Sequence, residues 1–119
     1  MSIPFDSQAQ IIGLRTTNYR SNGALAVVAL VDYGIEEEGF EEVPVSVNLD
    51  HVNAGQTMKS RNLAEGEFFA KNYSEGERLY SALVSGGWIE PTGATARTGF
   101  VTVPACRLTD EGKKYCRPL

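Results

Sequence analysis

The run Ala24–Val31, ALAVVALV, is eight consecutive apolar residues set between Ser21-Asn22-Gly23 and Asp32-Tyr33-Gly34. Its length, the turn residues on both sides and the β-branched Val27, Val28 and Val31 read as a strand covered on both faces. Such a strand needs a neighbour along each edge and packed layers above and below, so it commits the chain to a sheet of several strands. Asn22-Gly23 supplies the positive φ angles of a tight hairpin turn, which pairs the run with a preceding strand over residues 10–19.

The following segments continue the sheet. Val43, Val45, Val47 and Leu49 alternate with Pro44, Ser46 and Asn48, which predicts a core-facing and an outward-facing row along a third strand. Pro44 has no N–H to give to a ladder, so the strand either starts there or runs along an edge. Residues 50–62 read as a long loop. Glu67–Lys71, with Phe68 and Phe69, reads as a short fourth strand. Ser74 and Glu77 have the spacing of a capping box, Leu79 and Leu83 share one helical face, and Gly86-Gly87 form a left-handed stop, so one helix is predicted over 75–85. Thr98–Leu108 reads as the last strand, with Phe100, Thr102, Pro104 and an inward Cys106 alternating against Val101, Val103 and Ala105. The expectation is a single α+β domain over 10–108, a mainly antiparallel sheet of about five strands with the helix packed on one face and Trp88 sealing one end. Residues 1–9 form a lead-in, and 109–119 a loosely held tail carrying Lys113, Lys114 and Arg117.

Charge and motif content narrow the function. At 119 residues and a net charge of −4, the chain lacks the Lys/Arg excess that phosphate contacts require, so direct nucleic-acid binding is not expected. No stretch approaches the roughly 20 apolar residues of a membrane helix. The start, MSIPFDSQAQ, has no basic region followed by an apolar run, which predicts a cytoplasmic protein. In that setting the Asn72-Tyr73-Ser74 triplet is not expected to be glycosylated. Cys106 and Cys116 match no metal-ligand spacing and are expected to be free thiols, with no metal and no cofactor. Within KKYCR, the neighbouring Lys113, Lys114 and Arg117 predict a lowered pKa and a reactive Cys116. His51, beside Asp50, is the single histidine; a small enzyme using His51 or a carboxylate pair is the remote alternative. Glu75 and Glu77 are accounted for at the positive end of the helix dipole.

The anomaly is DYGIEEEGFEE, residues 32–42, in which six of eleven residues are acidic and none is basic. A hairpin connection requires polar residues and glycines, and acids at its end guard an edge against aggregation. It does not require so one-sided a charge, nor Ile35 and Phe40 among the acids. The segment therefore supplies the candidate partner-binding set: Asp32, Ile35, Glu36, Glu37, Glu38, Phe40, Glu41 and Glu42.

Several motifs together resemble a family. Val47-Asn48-Leu49, Gly66-Glu67-Phe68-Phe69-Ala70-Lys71, the capped helix with its glycine-bounded turn, and Gly99-Phe100-Val101-Thr102-Val103-Pro104 resemble a family of small bacterial and phage proteins grouped only as a domain of unknown function. The resemblance spans residues 10 to 108 and brings no catalytic residues. What it implies is carriage on phages and other mobile elements, and with that a non-enzymatic inhibitor of a host nucleic-acid-targeting defence complex, as an anti-CRISPR protein is. Its partner would be a host protein or ribonucleoprotein with a basic surface. The alternative is an interaction or regulatory module, including a homo-oligomer in which the basic tail meets a neighbour's acidic hairpin. The acidic hairpin and the tail after Leu108 depart from the family pattern.

Overall fold

The computed structural model describes residues 3–5, 9–20, 25–34, 40–47, 66–74, 76–98 and 101–117. In chain order the elements are β1 (Ile3–Pro4), β2 (Gln10–Asn18), β3 (Leu25–Asp32), β4 (Phe40–Pro44), β5 (Ser46–Val47), β6 (Glu67–Ala70), α1 (Gly76–Ser85), β7 (Ile89–Thr98), β8 (Val101–Leu108), α2 (Asp110–Lys114) and β9 (Cys116–Arg117). The α+β class, with mainly antiparallel strands and one main short helix, is the one expected. The strands fall into two sheets, ordered β1-β2-β3-β4 with β9 also on β2, and β5-β6-β8-β7.

The apolar run occupies the place its composition dictates. Strand β3 lies between β2 and β4, and Val27, Ala29, Leu30 and Val31 are fully buried. Val27, Ala29 and Val31 join Ile11, Leu14, Phe68, Ala70, Leu79, Leu83, Trp88 and Cys106 in the main core, so α1 packs through the two leucines its periodicity singled out. A smaller cluster of Phe69, Ala96, Val103 and Ala105 follows the alternate residues of the second sheet. That is why Phe68 and Phe69, adjacent in sequence, are both buried: each faces a different cluster. Cys106 is inward as expected, whereas Thr102 is exposed. Thr102 lies opposite Arg97, one pair from the turn end of the β7–β8 hairpin, on the opposite face from Val103 of the smaller cluster.

The predicted strand over 43–49 is divided, and hydrogen-bond accounting explains how. Val45 donates its N–H to the Val27 carbonyl (2.9 Å) but accepts at its own carbonyl from Lys71 N–H (2.8 Å). Its two backbone groups thus belong to different sheets. The Val27 N–H, which has lost its ladder acceptor, donates instead to Ser46 Oγ (2.9 Å), and that hydroxyl also shares a 2.8 Å hydrogen bond with the Tyr19 hydroxyl. A buried donor must be paired, so Ser46 points inward, against the outward position its alternation predicts. Asn48 and Leu49 lie outside the described residues, as do the Asn22-Gly23 turn, the 50–62 loop and Phe100.

Further differences concern residues 89–98 and the start of the helix. Residues 89–98, with Pro91 and Gly93, form the edge strand β7. Its register against β8 shifts between Pro91 and Thr95, where the Thr92 hydroxyl donates to the Ala105 carbonyl and accepts from Ala94 N–H. An edge tolerates proline and a bulge that a central strand does not. At the start of α1, Ser74 has φ +52°, not the extended backbone of a capping serine, and its carbonyl accepts from Glu77 N–H; Glu75 lies outside the described residues. The end of α1 is as predicted. Gly87 has φ +79°, with Trp88 N–H on the Leu83 carbonyl and Gly87 N–H on the Val84 carbonyl, the two bonds of a Schellman stop.

The tail is a structural element, not a loose end. Thr109 Oγ1 caps α2 by accepting from Gly112 N–H (2.9 Å) and donates to the Gly87 carbonyl. Tyr115 stacks on Trp88 with ring centroids 4.7 Å apart. The Tyr115 carbonyl accepts from Leu14 N–H, and β9 then pairs in parallel with β2. Strands β1 and β9 occupy successive stretches of the same edge of β2, at Ile11 and at Leu14. The segment after β8 thereby ties the second sheet to the first.

Candidate functional site

The acidic segment lies at the end of the β3–β4 hairpin. Asp32 faces Phe40 and Leu30 faces Glu42 across the pair, so Phe40, Glu41 and Glu42 are strand residues rather than loop residues. Strand β4 ends the order of its sheet and is exposed along most of its length, Val43 alone being half-buried. Phe40 is 41% exposed and Tyr33, at the start of the connection, 38%. Both rings neighbour acidic residues in sequence and stay more than a third exposed.

The site residues separate by what each touches. Asp32 is half-buried and its Oδ1 accepts from Gly34 N–H (2.8 Å), an Asx turn in which the side chain stands in for a backbone acceptor. Glu42 forms an ion pair through Oε2 with Arg15 Nη1, and among the described residues the buried Arg15 Nε has no hydrogen-bond partner. Exposed pairs of this kind contribute roughly 0.2–1 kcal/mol, so the pair fixes the orientation of Glu42 more than it stabilises the fold. Glu41 is exposed. Phe40, Glu41 and Glu42 are thus gathered on one edge strand; Ile35, Glu36, Glu37 and Glu38 lie outside the described residues, as do Asp50 and His51. The sequence reading missed Arg15. Its alternation along the first strand was the available signal, since it places Arg15 opposite Val28, on the face shared with Glu42.

The backbone of β4 adds a second feature. Because the Val45 N–H bonds to Val27, and because paired residues of an antiparallel ladder alternate between bonded and non-bonded positions, Val43 and Glu41 bond to β3 while Pro44, Glu42 and Phe40 direct their backbone groups away from it. Pro44 therefore sits at an outward position, where a missing N–H costs the sheet nothing.

The thiols behave otherwise than their neighbours in sequence suggested. Cys116 is half-buried, and burial pushes its pKa up, only partly offset by a hydrogen bond with Thr16. Lys113 and Lys114 are exposed on α2, and Lys114 is paired with Glu111 at 3.4 Å. The expected low-pKa, reactive Cys116 is thus corrected: desolvation prevails over nearby charge. Cys106 is fully buried beside Tyr80, and burial pushes its thiol up to about 11; the Tyr80 hydroxyl is raised as well, by burial and by Cys106. A folded-state pKa above the unfolded value of 9.0 means that the protonated thiol's contribution to stability is complete below pH 9 and is lost as pH rises toward 11. Urea midpoints measured from pH 8 to 11 are expected to fall more steeply for the native chain than for Cys106→Ala, and parallel curves would refute the assignment.

Among the described residues, no three His, Cys, Asp or Glu side chains are grouped to hold a metal ion, and no helix is long and apolar enough to cross a membrane. No family model matches the chain, and no curated protein or solved structure does either.

Proposed function

We propose that this protein acts by binding another protein, without catalysis, and that the acidic β3–β4 hairpin is its contact surface. The supporting observation is the edge strand β4: Phe40 exposed in a row with Glu41 and Glu42, beside the consecutive acids Glu36, Glu37 and Glu38 of the sequence. Carboxylates on the rim of a contact raise the rate of encounter with a positive surface and set its orientation. A half-exposed aromatic ring is the type of side chain that anchors such a contact. The partner class is a host protein or ribonucleoprotein with a basic channel, which the hairpin enters in place of phosphates, and the activity that follows is inhibition of a nucleic-acid-targeting defence complex in the bacterial cytoplasm.

The test is capture from bacterial lysate by the tagged chain, compared with a variant carrying Glu36→Lys, Glu37→Lys, Glu38→Lys and Glu41→Lys. Loss of at least about tenfold of the specifically captured protein is expected, in line with the cost of placing like charges across a contact. Unchanged capture by a folded variant would remove the hairpin from the account. Light scattering at low and high salt distinguishes the homo-oligomeric alternative, in which the basic tail meets the hairpin of a second copy and the assembly dissociates as salt rises.

A further inference from the structure

The contact just proposed has a backbone component. We infer that β4 is a docking edge for an extended basic segment of the partner, which adds to the first sheet as a further strand; this rests on the hairpin being the contact surface. The alternation fixed by the Val45–Val27 bond turns the N–H and C=O of Phe40 and of Glu42 outward, with the carbonyl of Pro44 beyond them. Among the described residues, none bonds to these groups, and β4 ends its sheet. An edge with outward donors and acceptors in register is the template that strand addition uses: backbone bonds supply affinity, and side chains at alternate positions supply selectivity.

Charge decides which strand fits. Pairing with a second copy about a two-fold axis would centre the ladder on Glu42, setting Glu42 directly against its own copy and Phe40 against Pro44. Like charges directly opposite one another are destabilising, so Glu42 on this edge turns away a second copy. A segment with Lys or Arg opposite Glu42 and Glu41, and an apolar residue opposite Phe40, meets every position. Arg15 engages Glu42 through Oε2 and holds that carboxylate on the sheet face where the incoming cation would lie.

A blocked peptide containing valine-lysine-lysine-valine is the probe, alongside the same peptide N-methylated at the lysine that faces Glu42. In a titration followed by amide NMR, the unmodified peptide is expected to perturb Phe40 and Glu42 and to slow exchange of their amide protons. N-methylation keeps the charge and removes the strand bonds, so it should weaken binding about tenfold, as loss of one or two net hydrogen bonds would. Glu42→Pro, which removes an outward donor and the carboxylate together while leaving the bonds to β3, should give a larger loss than N-methylation. Equal affinity for both peptides would overturn strand addition while leaving charge-guided docking by the hairpin intact, and loss of lysate capture on charge reversal reports on that separately. No binding of either peptide would also overturn the inference, as would concentration-dependent dimerisation that protects Glu42 without peptide.

Discussion

Replacing Trp88 with alanine is expected to lower the unfolding free energy by about 4 kcal/mol, within the range measured when a large buried aromatic is truncated. The indole is 2% exposed and lies where three structures meet: the Schellman stop of α1, the start of β7 and the tail. The Trp88 backbone N–H bonds to the Leu83 carbonyl and the Trp88 carbonyl accepts from Thr109 N–H, so the backbone stays anchored when the ring is removed and the resulting cavity cannot readily collapse. Tyr115 also loses its stacking partner. For a domain whose whole stability is about 5–15 kcal/mol, the melting temperature should fall by roughly 10–20 °C. Thermal unfolding followed by circular dichroism measures it, and a fall of less than about 5 °C would show that the clasp adds little. Trp88→Phe, which retains a ring to stack, should recover a large part of the loss.

How much of this was legible beforehand depended on how local the signal was. The strand, observed from Leu25 to Asp32, was legible from the length and β-branched content of the apolar run, and the helix from the spacing of Leu79 and Leu83 and its Gly86-Gly87 stop. The strand break at Val45 was not legible: valines alternate straight through it, and only the second sheet, built from residues far along the chain, reveals that the Val45 carbonyl leaves for Lys71. Strand β7 was hidden for the opposite reason. Pro91 and Gly93 are residue types that usually interrupt a strand, and an edge position with a bulge is what makes them tolerable.

The site was legible as composition and not as geometry. A count of acids finds the hairpin, but it cannot separate Asp32, which closes a turn, from Glu42, which pairs with Arg15 across two strands, or from the exposed Glu41. Nor does a count reveal that Phe40 and Glu42 share the outward phase of an edge strand, since that phase is set at Val45, outside the acidic run. The Cys116 expectation failed in a related way: charges adjacent in sequence were weighed, while the burial created by β9 on β2 was not visible until the sheet was assembled.

Gly112→Ala is expected to destabilise the fold by about 3 kcal/mol, the upper part of the usual range for forcing atoms into a packed site. A Cβ on Gly112 would come 2.0 Å from the Trp88 carbonyl oxygen and 2.9 Å from its carbonyl carbon. Both are backbone atoms, and that carbonyl is already held by Thr109 N–H, so neither side can swing away and α2 must lift. Gly87, one residue before Trp88, supplies the control. It needs its glycine for φ +79°, and a Cβ there meets nothing within 4 Å, so Gly87→Ala should cost only the left-handed penalty of about 1–2 kcal/mol. If packing of the tail against Trp88 is the cause, Gly112→Ala should also speed amide exchange at Leu14, whose N–H bonds to the Tyr115 carbonyl, while Gly87→Ala leaves that amide protected. Equal effects of the two substitutions at Leu14 would mean that α2 and β9 are held independently of Trp88, and the tail would then be an appended strand rather than a clasp between the two sheets.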